Sequence, residues 1–267
     1  MSSKKQNKKV LIILIILQIV LIALLIGFLI VGITGYGEIN MFGFEERVKN
    51  IILDETYEIE NIKNIDIKSI AGNVDFKEST DGKIRVIAYG KRAENIRVSY
   101  LKDILEVETF GKNRIISFGF NNNVLDIEIY LPKDYSNRVN IKSQYGDVKM
   151  LSLENANIDI KSSCGDIKLE KVKNVNLKND YGNIKIEEII GKCEIDSSCG
   201  DVKIQKLNIL EDSNIKSDLG DVKIQEKNDI YVDAITSLGN TKIENNNRNA
   251  EIILKIKNDC GDIKVGE

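Results

Sequence analysis

Histidine and tryptophan are absent from the 267 residues, and proline occurs once, at Pro132. Without histidine there is no Ser-His-Asp triad, no imidazole base and no imidazole metal ligand. Only four cysteines are present, and none lies near the N-terminal apolar run, which excludes a lipoprotein-type cysteine anchor there. Positive charge is short as well. Setting aside the four lysines of the N-terminal tail leaves 34 Lys+Arg against 41 Asp+Glu, a net of -7, which argues against a nucleic-acid partner.

What the chain does have begins with an apolar run from Val10 to Ile33, in which only Gln18 is strongly polar. As a helix this run would be about 36 Å long, enough to cross a bilayer with tilt. A cleavable signal peptide has an apolar stretch of about 7 to 15 residues and a small-residue cleavage site. Gly32-Ile33-Thr34-Gly35-Tyr36-Gly37 supplies neither, so the run reads as an uncleaved anchor. Lys4, Lys5, Lys8 and Lys9 precede it, whereas Glu38, Glu45 and Glu46 dilute Arg47 and Lys49 after it. The lysines stay inside. The expected organisation is a cytoplasmic tail at 1–9, a transmembrane helix at 10–34, a juxtamembrane linker at 35–56 and an extracytoplasmic domain at 57–267. One short helix is expected in the linker near Glu45 to Leu53.

The exported part is organised by a repeat, x-Gly-[Asp/Asn]-x-Lys, with glycines at 146, 165, 182, 200, 220, 239 and 261. An earlier copy, Ser69-Ile70-Ala71-Gly72-Asn73-Val74-Asp75-Phe76, carries aspartate in place of the lysine. Aligned on glycine, the copies alternate with period two on both sides, the signature of strands with one buried face. Val148, Ile167, Ile184, Val202, Val222, Thr241 and Ile263 follow by two residues; Ile141, Ile160, Leu177, Ile195, Ile215, Ala234 and Ile256 precede by five. Both rows point inward. Ser143, Ser162, Asn179, Ser197, Ser217, Thr236 and Asn258 share that parity, and buried hydroxyls and amides need partners. Stacked about 4.8 Å apart they would form a hydrogen-bonded ladder under the bend.

Glycine suits a bend with positive φ, and the Asp or Asn after it can bond nearby backbone. Strand, glycine corner, strand and short return make one rung, and rungs stacked in sequence order predict an all-β fold of the β-solenoid or β-roll type. An ordinary sandwich is the alternative. Residues 77–135 depart from the repeat but still alternate, and are expected to extend or cap the N-terminal end of the stack.

Three rows invite chemistry. Asp147, Asp166, Asn183, Asp201, Asp221, Asn240 and Asp262 could form a calcium ladder. Amides interrupt that row and no glycine-rich nonapeptide calcium motif is present, so it reads as turn-forming residues neutralised by lysine, with no metal or cofactor site. The lysines are Lys149, Lys168, Lys185, Lys203, Lys223, Lys242 and Lys264, a row suited to a periodic anionic envelope polymer but blunted by the aspartates. A solvated face that discourages sheet association is the plainer reading. Cys164, Cys199 and Cys260 stand just before glycine, where other copies carry Tyr145, Tyr181, Leu219 or Leu238, and with Cys193 they read as core residues too far apart to form disulfides. No carboxylate pair stands out for glycoside hydrolysis, so no catalytic residue is assigned.

Rungs such as Ile158-Asp159-Ile160-Lys161-Ser162-Ser163-Cys164-Gly165-Asp166-Ile167-Lys168-Leu169 resemble the bacterial candidate-adhesin domain of unknown function that includes the Lia-type "toast-rack" envelope proteins. The resemblance covers about residues 57 to 267, Ile127-Glu128-Ile129-Tyr130-Leu131-Pro132 included. It implies a membrane-anchored interaction or scaffold module, adhesin-like or tied to envelope stress, with an unknown envelope protein or polymer as partner and no established catalytic residues. A carbohydrate-active enzyme or anionic-polymer binder on a β-helix scaffold is the alternative.

Overall fold

The computed structural model describes residues 50–110 and 124–266. The apolar run 10–33 lies outside them, and among the described residues no helix is long and apolar enough to cross a membrane. Of the short helix expected near Glu45 to Leu53, the first part also lies outside. Its end, Ile51–Leu53, belongs instead to a strand, Ile51–Tyr57, paired antiparallel with Ile84–Tyr89. The β-branched run there suits a half-buried strand better than a helix.

The described residues are almost wholly β, in one curled sheet consistent with a β-solenoid. Each glycine copy forms a rung. In the Gly146 rung, for example, Arg138–Tyr145 reaches the corner and Val148–Met150 leaves it. Successive rungs pair parallel and in register, so that Ile141 lies beside Ile160 and Val148 beside Ile167. The register repeats because a slip of one residue would turn every inward side chain outward. Ile141, Ile160, Leu177, Ile195, Ile215 and Ile256 are accordingly all buried, with Val148, Ile167, Ile184, Val202, Val222 and Ile263 facing them. Each such side chain contributes about 1.5–3 kcal/mol through burial.

The rungs do not stack in sequence order. The strands of the Gly220 rung pair with Ile253–Cys260 and Ile263–Val265, which pair in turn with Tyr231–Leu238 and Thr241–Ile243. The Gly261 rung is therefore inserted between Gly220 and Gly239, and the Gly239 rung is outermost. At the other end the Gly72 rung sits between the Gly146 rung and a pair of strands from later in the chain, Ile104–Thr109 and Asp126–Leu131. Two further antiparallel strands, Ile84–Tyr89 and Ile96–Leu101, flank that pair. Tucking the last strands inside gives them neighbours on both sides and buries Leu254, Ile256, Ile263 and Val265.

Two features join the rungs at the corner. Gly200 has φ +136°, and a Cβ built on it would lie 2.1 Å from the Gly182 carbonyl oxygen. Glycine is needed there both for the dihedral and for the approach of the next rung. The residue after glycine supplies the second feature. The Asp166 N–H donates to Asp147 Oδ1 at 2.9 Å, Asn183 N–H to Asp166 Oδ1 at 2.7 Å, Asp201 N–H to Asn183 Oδ1 at 3.1 Å and Asp221 N–H to Asp201 Oδ1 at 3.0 Å. The ladder continues through Asp262 to Asn240 at one end and through Asn73 to Asp126 at the other. Asp and Asn alternate freely in this row because both present an Oδ1 acceptor.

The inward Ser/Asn row does not form the side-chain ladder expected of it. Asn179 and Asn258 donate to corner glycine carbonyls, Gly182 O and Gly220 O, each at 2.9 Å, and Thr236 Oγ1 donates to Gly261 O at 2.9 Å. The buried hydroxyls of Ser143, Ser162, Ser197 and Ser217 have no protein partner. A serine side chain is too short to span the rung spacing of about 4.8 Å.

Replacing Gly200 with valine is expected to destabilise the domain by more than about 1 kcal/mol, read by chemical denaturation of the full chain. An unchanged midpoint would refute the corner geometry. For the ladder, Asp201→Ala should cost about 0.5–1.5 kcal/mol, and Asp201→Asn much less, because the amide keeps the acceptor. The Asp221 N–H, and then the Lys203 amine, hold the Asp201 carboxyl below the usual carboxylate range. A folded-state pKa depressed in this way stabilises above the unfolded value of about 3.9, and the contribution disappears as pH falls through the folded value. Asp201→Asn should therefore lose less stability than the wild type between pH 5 and the acid limb, as measured by melting temperature across pH.

Candidate functional site

The regular register turns each outward position into a continuous row, and these rows are the candidate site. Lys149, Lys168, Lys185, Lys203, Lys223, Lys264 and Lys242 stack one per rung in that order. Lys203 pairs with Asp201 at 3.1 Å, and Lys242 with Glu244 at 3.0 Å. The neighbouring aspartates spend their Oδ1 atoms on the backbone ladder, and among the described residues no cluster of three or more His, Cys, Asp or Glu could hold a metal ion. A second outward row, on the strands entering the corners, runs Lys68, Lys142, Lys161, Lys178, Asp196, Lys216, Lys257 and Ile235. Its first four lysines line a groove of about 490 Å³ that ends at Thr109 and Phe110. Phe110 stacks under the Arg97 guanidinium, 5.1 Å from its ring centroid. Two carboxylates, Glu108 and Asp180, line the same groove four rungs apart, about 19 Å at strand spacing, well beyond the separation of a glycosidase pair.

The row just before glycine is a correction to the sequence reading. It does not lie in the core: Tyr145, Tyr181, Leu219 and Leu238 are each more than half exposed, and Cys164, Cys199 and Cys260 between them are partly exposed. In space the row reads Tyr145, Cys164, Tyr181, Cys199, Leu219, Cys260, Leu238. The positive φ of the following glycine rotates the chain at the corner, so the strict alternation that placed this row inside ends one residue early. Cysteines occupy alternate rungs, about 9.6 Å apart at twice the strand spacing, too far for a disulfide. Cys193 alone is fully buried, where desolvation pushes its thiol pKa well above the ordinary value, and its N–H donates to Ser213 Oγ at 3.0 Å.

One polar cluster was not anticipated. Glu128 is 3% exposed, pairs with Lys77 at 2.7 Å and accepts from Tyr89 Oη at 2.9 Å and Tyr130 Oη at 3.1 Å. Burial pulls the Lys77 amine pKa down, but the Glu128 bond and charge outweigh it and leave the pKa raised. Burial, followed by the bond to Glu128, raises the Tyr89 hydroxyl. All donors converge on one carboxylate, which is how a covered charge is satisfied in a fold. The alternation of Ile127-Glu128-Ile129 puts Glu128 outward, where Lys77 and the two tyrosines cover it.

A search of curated proteins finds no match to this chain. Among solved structures, a candidate adhesin of Bacteroides fragilis is 17% identical over 81% of this chain and 97% of its own, with a TM-score of 0.46. A candidate cell adhesion protein of Clostridium sporogenes is 13% identical over 81% and 99%, with a TM-score of 0.42. A candidate lipid-binding protein of Parabacteroides distasonis is 15% identical over 79% and 96%, with a TM-score of 0.41. All three scores fall below 0.5, so these likenesses carry no argument about function. The family model described as Toastrack DUF4097 matches residues 62–267, from the first buried isoleucine through the last rung. The chain belongs to the Toastrack DUF4097 family.

Proposed function

We propose that this chain is a single-pass membrane protein with a cytoplasmic N-terminus, whose toast-rack domain works outside the membrane as a non-catalytic interaction or scaffold module. An adhesin-like role and a role in envelope stress both fit that description. The observation that carries the reading is the exposed corner row. Tyr145, Tyr181, Leu219 and Leu238, with three cysteines between them, make a continuous apolar strip along the corner, beside rows of lysine and aspartate, and such strips mark contact sites. The apolar run 10–33 and the lysines before it support the tether and its direction.

A second reading, binding of an anionic envelope polymer, is favoured by one specific observation. Seven lysines stand in unbroken register about 4.8 Å apart, a spacing over which a chain of repeated phosphates or carboxylates could be followed. Five aspartates on the same face weaken its field.

A reporter fused after Glu267 should be active on the extracytoplasmic side, and protease added to intact protoplasts should digest the domain. Protection of the domain would refute the orientation. The corner row is tested by the double variant Tyr145→Asp/Tyr181→Asp, which should retain its melting temperature while losing retention on isolated cell envelopes. Retention equal to the wild type would refute the strip as the contact.

A further inference from the structure

We propose that the outermost strand Tyr231–Leu238 pairs antiparallel with the same strand of a second copy, joining two domains end to end about a two-fold axis. Among the described residues this strand pairs on one side only, with Ile253–Cys260, and its rung partner Thr241–Ile243 pairs only with Ile263–Val265. Open edges are ordinarily blunted by lysine, proline or a cover, because their unpaired N–H and C=O groups template another strand. Here the blunting is absent where it matters most. The outward row that carries Lys68, Lys142, Lys161, Lys178, Asp196, Lys216 and Lys257 on the other rungs switches to Ile235 on the edge strand, with 65% of that side chain's residue surface exposed. The strand contains neither lysine nor proline. Its inward residues Ala234 and Thr236 are partly exposed, whereas Ile256 and Asn258 on the next rung are buried.

One residue of the edge is already sealed, and it fixes the register of what remains. Asn246 Oδ1 accepts from the Val232 N–H at 2.8 Å, while Asn246 Nδ2 donates to Val232 O at 2.9 Å, so a side-chain amide stands in for a neighbouring strand. Backbone groups of alternate residues point to the same side of a strand, so Ala234 and Thr236 face the way Val232 does. A two-fold axis perpendicular to the sheet keeps inward rows inward. With that axis at Ile235, each Ala234 lies opposite the other copy's Thr236, and both pairs exchange N–H···O bonds. Ile235 then faces its own copy across a close, non-hydrogen-bonded position, and Asp233 faces Ser237. No like charges oppose. Centring the axis on Ala234 would instead need two exchanged pairs between Val232 and Thr236, on the residue Asn246 occupies, whereas centring on Ile235 brings only Leu238 opposite Val232, and the Leu238 carbonyl is already turned inward to the Gly261 N–H. The opposite end of the stack does not match this edge: its outer strands run antiparallel to their neighbours and carry Asp54 and Arg97 in ion pairs. Self-pairing needs no second surface and closes at two copies.

The test is sedimentation equilibrium of the full chain in detergent micelles, with Ile235→Lys and, as a control at the other end, Leu101→Lys. The wild type and Leu101→Lys should be dimers. Ile235→Lys should raise the dimer Kd at least about tenfold while keeping the wild-type melting curve at concentrations low enough that both are monomeric, since lysine fills this row on most other rungs. Ile235→Cys gives a readout that does not depend on weakening the pair. Residues opposite each other at a non-hydrogen-bonded position lie about 4.5 Å apart at Cα, within disulfide range. Mild oxidation should therefore convert Ile235→Cys, and not the wild type, into a covalent dimer. A monomeric wild type, an open series of oligomers, a dimer indifferent to Ile235→Lys, or no crosslink in Ile235→Cys would each overturn the proposal.

Discussion

The approach of one main chain to the next at the glycine corner is the constraint on which the rest of the structure depends. Any Cβ at these glycines would fall about 2 Å from a carbonyl oxygen of the adjacent rung, closer than van der Waals contact allows. Once that approach is made, Gly146 N–H reaches the Cys164 carbonyl and Val148 N–H the Asp166 carbonyl, and the same pair of bonds recurs from each further corner up to Gly261, which bonds the outermost Gly239 rung. The Asp or Asn that follows is then held beside the next rung's N–H, and its Oδ1 accepts it. Three hydrogen bonds per step fix the register at one point. From there the strands run outward in both directions with their rows aligned.

That chain of cause explains why some of the fold was legible in the sequence. The glycine spacing, the inward isoleucine rows and the Asp/Asn position all report on the corner directly, and each side chain's role depends only on parity within its own rung. Three things were not legible for the same reason. The order of rungs depends on which strands meet, and parallel rungs with similar rows accept one another in more than one order. The Gly239 copy did carry a signal: Ala234, Thr241 and Ile235 stand where other copies have Ile or Leu, Val or Ile, and mostly Lys. Those departures suit an outermost rung, whose inward side chains gain less from burial. The cysteine row was misplaced because parity was carried through to a residue whose successor has positive φ. Finally, the serine row was assigned partners by chemistry, but the rung spacing leaves their hydroxyls out of reach of one another, and Asn179, Asn258, Thr236 and, at 3.5 Å, Ser69 turn instead to glycine carbonyls.

The candidate surfaces inherit their character from register rather than from individual residues. A lysine row of seven, a corner strip of tyrosine, leucine and cysteine, and a groove flanked by stacked lysines all follow once one rung's outward residues are repeated at strand spacing. This is why no single residue in the sequence could announce a site. It also separates the surface rows from the Glu128 cluster, where Tyr89 and Tyr130 come from strands outside the repeat and only Lys77 stands on the strand leaving the Gly72 corner.

A stack of like rungs has no internal reason to stop, so its two ends must be ended by something else. At the N-terminal end the strand direction changes: Ile84–Tyr89 and Ile96–Leu101 run antiparallel to the strands they cover, and a further parallel rung would meet the wrong hydrogen-bond pattern. At the C-terminal end the direction does not change. The Gly239 rung keeps the glycine, the Asn240 N–H bond to Asp262 Oδ1 and the strand polarity of those before it, and is distinguished by smaller or more polar inward residues, by Ile235 in the outward lysine row and by the Asn246 amide on Val232. Residue choice lowers the gain from adding another layer but leaves the backbone able to accept one. The two ends are thus unequal in kind, and the one that retains the repeat's own hydrogen-bonding geometry is the one where another polypeptide can be received.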